Sequence, residues 1–258
     1  LWIYTRWLPS LKFDFNALRT MFTFGSKMLL NGLMDTISQN VYLVVIGKLF
    51  SPVRLGFYAR AVSIEQMPVQ IINWSVGRVM FPVFCSIQED KTRLKKSARK
   101  LISYMSMINF PVMIGLAAVA EPLVHVLLTD KWLPCVPYLQ LLCAVGILYP
   151  IQGLHLNILT AQGHSGILLR LNVFKQILFI IVLAITYRWG IMSMIAGQII
   201  ASCISYYINS YYTEKILHYS IMQQISDMTP AFVLSCIMGI FVHAISLVNF
   251  LNIYILLV

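Results

Sequence analysis

Seven apolar runs fill most of this chain, near residues 20–47, 59–84, 102–128, 138–161, 170–187, 191–212 and 230–248, and each is at least 18 residues long. A hydrocarbon core of about 30 Å takes about 20 helical residues at a rise of about 1.5 Å each. In lipid every backbone N–H and C=O must be satisfied within the protein, which leaves helices or closed barrels. Strand-type alternation is absent, and the runs are too long for barrel strands. The expected fold is all-α, a polytopic transmembrane helical bundle of about seven complete spans, with residues 249–258 as the start of a partial eighth. Composition agrees: 59% hydrophobic residues, 11% charged and a mean hydropathy of +0.78 exclude an ordinary soluble domain.

The net charge of +10 follows the membrane and is not gathered into a basic domain with interleaved aromatics, so no nucleic-acid partner is expected. If the first span runs outward from the cytoplasm, the cytoplasmic segments hold Arg6, Lys12, Arg19, Lys91, Arg93, Lys95, Lys96, Arg99, Lys100, Arg170, Lys175 and Lys215. The other side holds only Lys48, Arg54, Arg60, Lys131 and Arg188. The positive-inside rule therefore sets the orientation. Residues 88–100 read as a solvated basic loop suited to anionic lipid headgroups.

The first two runs differ from the rest because each carries a polar stripe. Lys27, Asn31, Asp35 and Ser38/Gln39 mark one; Ser63, Gln66, Gln70, Asn73 and Gly77 mark the other, with Glu65 and Arg78 beside it. Spacings of three and four residues place each set on one helical face. A charge at bilayer depth costs about 2.5–3.5 kcal/mol on insertion scales, so these faces should line a wet cavity or an internal interface. Pro68 should bend the second span and free a carbonyl there. Glu65, slightly off its stripe, is placed to meet Lys27 or Lys48 across an antiparallel hairpin, whose connection at 48–58 carries Pro52 and Gly56 as helix-ending signals. The spans at 170–187, 191–212 and 230–248, with hardly any charge, read as lipid-facing or structural.

Catalytic signatures are missing: the chain has no HExxH, GxSxG or P-loop and no pair of acids on an accessible loop. No catalytic or metal-binding residues are therefore assigned, and the expectation is a protein that is not an enzyme. Cys85, Cys135, Cys143, Cys203 and Cys236 form no CxxC pair and read as buried thiols. The histidines are read as structural, with His155 and His164 flanking a helix end.

Along the chain, residues 1–19 suit a cytoplasmic, interfacial linker, with Trp2, Trp7, Arg6 and Lys12 around Pro9. The chain opens at Leu1 and stops inside an apolar run, so both ends read as cuts through a larger protein.

Three ordered segments carry a resemblance: Phe24-Gly-Ser-Lys-Met-Leu-Leu-Asn31, Gly47-Lys-Leu-Phe-Ser-Pro-Val-Arg-Leu-Gly-Phe-Tyr-Ala-Arg-Ala61 and Phe81-Pro-Val-Phe-Cys-Ser-Ile-Gln-Glu-Asp90. With Pro122-Leu-Val-His-Val-Leu-Leu-Thr-Asp-Lys-Trp132 and Asn157-Ile-Leu-Thr-Ala-Gln-Gly163, this series resembles the polysaccharide transporter (PST, Wzx-type) flippases of the MOP/MATE-like superfamily. The resemblance implies the second lobe of such a protein: linker 1–19, a six-helix lobe at 20–212 and extra C-terminal helices at 213–258, the last truncated. The partner wall of the cavity would come from a missing N-terminal lobe.

It further implies export of a lipid-linked oligosaccharide, on undecaprenyl pyrophosphate, across the bacterial cytoplasmic (inner) membrane by alternating access, in O-antigen or other surface polysaccharide synthesis. Lys27 and Arg78 would attract pyrophosphate or acidic sugars, and Asn31, Gln39, Gln66, Gln70 and Asn73 would bind hydroxyls. Asp35 and Glu65 are candidates for H⁺ or Na⁺ coupling, and no cofactor is implied. The partners it implies are the lipid-linked cargo, the lipid bilayer and that missing N-terminal lobe, with no nucleic acid. The competing readings are a lipid II flippase or cation-coupled drug exporter on the same fold, and a membrane enzyme of polysaccharide assembly. Half a cavity cannot alternate access, so residues 1–258 alone are expected not to transport.

Overall fold

Capping chemistry decides where two of the helices begin. The computed structural model describes the backbone of residues 14–163 and 165–256; the side chains of Ala17, Thr20, Thr23, Phe24, Lys27, Asn31, Asp35, Ser38, Gln39 and Ser165, and those beyond Ile245, lie outside the described residues. Helix α1 spans Phe15–Leu49 and α2 spans Pro52–Ser86. Each has 35 residues, about 52 Å at 1.5 Å per residue. Only Phe50 and Ser51 separate them. Ser51 Oγ accepts from the Arg54 N–H at 3.3 Å, and Pro52, at the first helical position, has no N–H to leave unpaired. Pro52 thus opens a helix rather than ending one, and Gly56 lies inside it. Most of the expected linker, residues 1–13, lies outside the described residues.

The basic segment is not a loop beyond Asp90. Asp90 Oδ1 accepts from the Arg93 N–H at 2.9 Å and caps α3, Lys91–Ala118. The expected span at 102–128 is broken after Ala118, and a nine-residue α4, Ala120–Leu128, follows. Pro122 supplies the reason: it has no N–H for the Ala118 carbonyl, so a rung is missing between the Val119 N–H bond to Gly115 O and the Leu123 N–H bond to Val119 O.

A 3₁₀ turn, Asp130–Cys135, leads into α5, Val136–Ala161. Then come α6, Ser165–Thr186, a 3₁₀ turn at Tyr187–Trp189, α7, Ile191–Leu217, and α8, Ile221–Leu256. Residues 249–256 continue α8 rather than starting a further span, since no glycine or proline follows Gly239 to stop the helix. Five described helical segments are long and apolar enough to cross a membrane: Lys91–Ala118, Asp130–Ala161, Gly166–Trp189, Ile191–Leu217 and Ile221–Ile245. The described elements are helical throughout, and together they form an all-α membrane bundle.

Helix α5 is the central post, packed on α2, α3 and α7 and more lightly on α6. Close approach needs small residues where α7 meets α6: a Cβ on Gly197 would stand 2.6 Å from Val182 Cγ1. Helix α8 lies along α3, with Phe110 and Phe232 edge to face at 5.9 Å. The expected antiparallel hairpin of α1 and α2 is only partly formed, because α1 rests chiefly on α6. Its described contacts with α2 gather near the turn, where Tyr42, Ile46, Tyr58 and Ala61 are buried in one cluster.

At the opposite end, Arg99 Nε and Nη2 donate to Asp227 at 2.8 and 2.7 Å, and the Tyr219 hydroxyl donates to the same carboxylate at 2.7 Å. Lys95 Nζ donates to His218 O. This clasp ties α3 to the α7–α8 turn. Arg99 is 46% exposed in its side chain, so the ion pair contributes at most about 1 kcal/mol. Burial, and then the Asp227 carboxylate, hold the Tyr219 phenol above its ordinary range, which keeps it a donor.

Thr129, after α4, has φ 75° and ψ 166°, a region that is essentially glycine's and costs a side chain about 1–3 kcal/mol. Gly190 meets the same geometry, φ 98° and ψ 176°, at no such cost. Thr129→Gly is therefore expected to stabilise the protein by about 1 kcal/mol, read as a higher thermal midpoint in detergent. An unchanged or lower midpoint would contradict the strain.

Candidate functional site: a polar cavity within the lobe

The polar face of α2 opens on a cavity of about 730 Å³. Tyr58, Glu65, Gln66, Gln70, Asn73, Gly77 and Arg78 line one wall at helical spacing. Helix α5 supplies Tyr149, Gln152, Gly153 and Asn157, α6 supplies Asn172, Lys175 and Gln176, α7 supplies Gln198 and Ser202, and Tyr42 of α1 closes one end. Of the predicted α2 set, Ser63 alone is not among the lining residues and is exposed. The α1 stripe, Lys27, Asn31, Asp35, Ser38 and Gln39, falls on helical backbone, but its side chains lie outside the described residues.

Two corrections follow. Spans α6 and α7 are not merely lipid-facing or structural, because together they give the cavity five polar side chains. On α6 the signal was present in the sequence, Asn172, Lys175 and Gln176 being three and four residues apart, but the strip is too short to stand out in so apolar a helix. Lys175, counted above with the cytoplasmic segments, lies ten residues inside α6, about 15 Å from the start of the helix, and Arg78 lies eight residues, about 12 Å, from the end of α2. These two cations line different walls of the cavity.

Glu65 is the second correction. It does not pair with Lys48, which is exposed, while Glu65 is 7% exposed and packed against α5; the Lys27 side chain lies outside the described residues. Gly146 makes that fit possible, since a Cβ there would collide with Glu65 Oε1 and stand 2.8 Å from Met113 Sδ. Around it the cavity presents the Tyr58 hydroxyl, which accepts from Gln198 Nε2 at 3.2 Å, and the Tyr42 hydroxyl, buried with no partner among the described residues. The carboxyl thus sits among hydroxyl and amide groups, about 20 Å, or thirteen residues, from the α1–α2 turn.

Other polar pairs keep the wall in place. Gln152 Nε2 donates to Ser202 Oγ at 3.0 Å and to Ser202 O at 3.2 Å, tying α5 to α7, and Gln70 Nε2 donates to Gln66 Oε1 at 3.3 Å along α2. His155 is inside α5 and fully buried, not at a helix end. All five cysteines are free; Cys135 and Cys143 are buried, but Cys203 is exposed. No group of three or more His, Cys, Asp or Glu side chains able to hold a metal occurs among the described residues.

The geometry can hold a large polar solute: amides and hydroxyls for hydrogen bonds, two cations for a negative group, and one buried carboxyl. Comparison with known proteins points the same way. The profile of a family described as "Polysaccharide biosynthesis protein" matches residues 1–137. The teichuronic acid biosynthesis protein TuaB of Bacillus subtilis is 25% identical over 94% of this chain and 50% of its own length. The lipopolysaccharide biosynthesis protein WzxC of Escherichia coli is 30% identical over 78% of this chain and 42% of its own. The succinoglycan biosynthesis transport protein ExoT of Rhizobium meliloti is 27% identical over 58% of this chain and 31% of its own. The chain spans about half the length of the first two of these relatives. No solved structure matches it. The chain therefore belongs to the polysaccharide biosynthesis protein family, in its polysaccharide-transporter branch, as a multi-pass protein of the bacterial cytoplasmic membrane.

Proposed function

We propose that this chain is the second half of a flippase that exports a lipid-linked oligosaccharide, carried on undecaprenyl pyrophosphate, from the inner to the outer leaflet. The observation that carries this reading is the cavity, where Arg78 and Lys175 line different walls and share the lining with several amide side chains. With α2 ending and α6 starting at the cytoplasmic side, as the positive-inside rule places them, the two cations lie in the cytoplasmic half. There they would receive the pyrophosphate, and Gln66, Gln70, Asn73 and Asn157 would meet sugar hydroxyls. Lys27, Asn31, Gln39 and Asp35 on α1 are assigned to the same cavity by their spacing. Glu65, in the outer half, is assigned to ion coupling. The protein is read as a transporter and not an enzyme; six spans, α1 to α7 with α4 as a short addition, make the lobe, and α8 is extra.

Replacing both Arg78 and Lys175 with alanine in the full-length protein, in a host lacking its own flippase, tests this. Surface polysaccharide is expected to fall severely while the amount of protein in the membrane stays the same. Wild-type export from that double variant would refute the anion-receiving role. A drug exporter is disfavoured by the same pair, since a cavity for organic cations should not place two cations in its own walls.

A further inference from the structure

Among the described residues, nine buried side-chain N or O atoms have no hydrogen-bond partner, and six of these gather where α3, α5 and α7 meet. They are Ser106 Oγ, Asn109 Oδ1, His155 Nε2, Ser205 Oγ and both amide atoms of Asn209. The five residues are 0–1% exposed. Each unpartnered group carries its full desolvation cost, and such groups in native proteins are regularly satisfied by bound water.

The imidazole shows what kind of ligand the seam needs. The Thr213 hydroxyl donates to Asn209 O at 3.1 Å, so at 3.0 Å from His155 Nδ1 its oxygen is the acceptor and the ring N–H the donor. A neutral ring then has a lone pair on Nε2 and requires a donor there. Asn209 requires a donor and an acceptor at once. A water molecule offers both, whereas an ion offers one.

The seam also has two polar ends. Gln152 and Ser202 join it to the cavity they line. Towards the α7–α8 turn, Ser210 Oγ and Tyr206 OH donate to Gln224 Oε1 at 2.7 and 3.2 Å. We propose that the α3–α5–α7 seam is a hydrated compartment, a binding site for a short file of internal water that extends the cavity behind α5.

Hydroxyl-radical footprinting of the full-length protein in lipid nanodiscs tests this, because radicals generated from bound water label the side chains beside it. His155 and Tyr206 are expected to label at rates comparable with Tyr149 on the cavity wall, while Met194, as buried as His155, stays protected. In His155→Phe, whose ring fills the seam, Tyr206 labelling is expected to be lost and Tyr149 labelling kept; Asn209→Leu serves the same purpose if that variant does not fold. Protection of His155 and Tyr206 to the level of Met194 overturns the proposal. So does Tyr206 labelling that persists in the filled variant.

Discussion

Asn109→Leu is expected to destabilise the lobe by about 1–3 kcal/mol, the cost of leaving a buried carbonyl without a donor. Pro150 interrupts the centre of α5: having no N–H, it cannot bond the Gly146 carbonyl one turn earlier. Asn109, reaching from α3, fills that gap with Nδ2 at 3.1 Å from Gly146 O and 2.8 Å from Ile147 O. Leucine offers no donor, so the carbonyl stays unpaired in a site that is 0% exposed. The check is the thermal midpoint of the full-length protein in detergent. The cause is isolated by Pro150→Ala in the same background, which returns an N–H to Gly146 O and should recover part of the loss through coupling between the two sites. No loss in the single variant, or no recovery in the double, would remove Asn109 from this role.

Glu65→Gln is expected to abolish export while leaving the folded protein intact. Glutamine has nearly the same shape, so the contact with Gly146 and the packing of α2 on α5 survive, but it cannot carry a charge or release a proton. The charge matters because a carboxyl only 7% exposed, with no ion-pair partner among the described residues, is an expensive group to retain for packing alone. Gly146→Ala approaches the site from the other side. Its methyl group would displace the Glu65 carboxyl, so export should fall even though the acid is present. Surface polysaccharide in a flippase-deficient host reads both variants, and normal export by Glu65→Gln would sink the coupling assignment.

The α2 stripe was legible in the sequence because polar residues inside a bilayer-length run have one affordable place, facing water or protein. Gln66, Gln70, Asn73, Gly77 and Arg78 accordingly line the cavity. The α6 and α7 residues were not legible in the same way. A helix in lipid can be apolar on every face, so Asn172, Lys175, Gln198 and Ser202 stood as isolated polar positions until their helices were placed. Helix ends failed for a related reason: Pro52 and Asp90 act as starting signals only once the turn before each is known, and Pro122 breaks a span that hydropathy alone runs through.

What the sequence by itself determined was a membrane-spanning, all-helical bundle in which two spans carry a polar face. The energetic cost of exposing charge or unpaired backbone to lipid allows almost nothing else. Tertiary structure alone decided which helices meet the α2 face, that Glu65 sits against Gly146 rather than beside Lys48, and that Asn109 mends the gap at Pro150. Those outcomes depend on the shapes of apolar surfaces a few ångströms apart, to which hydropathy is blind.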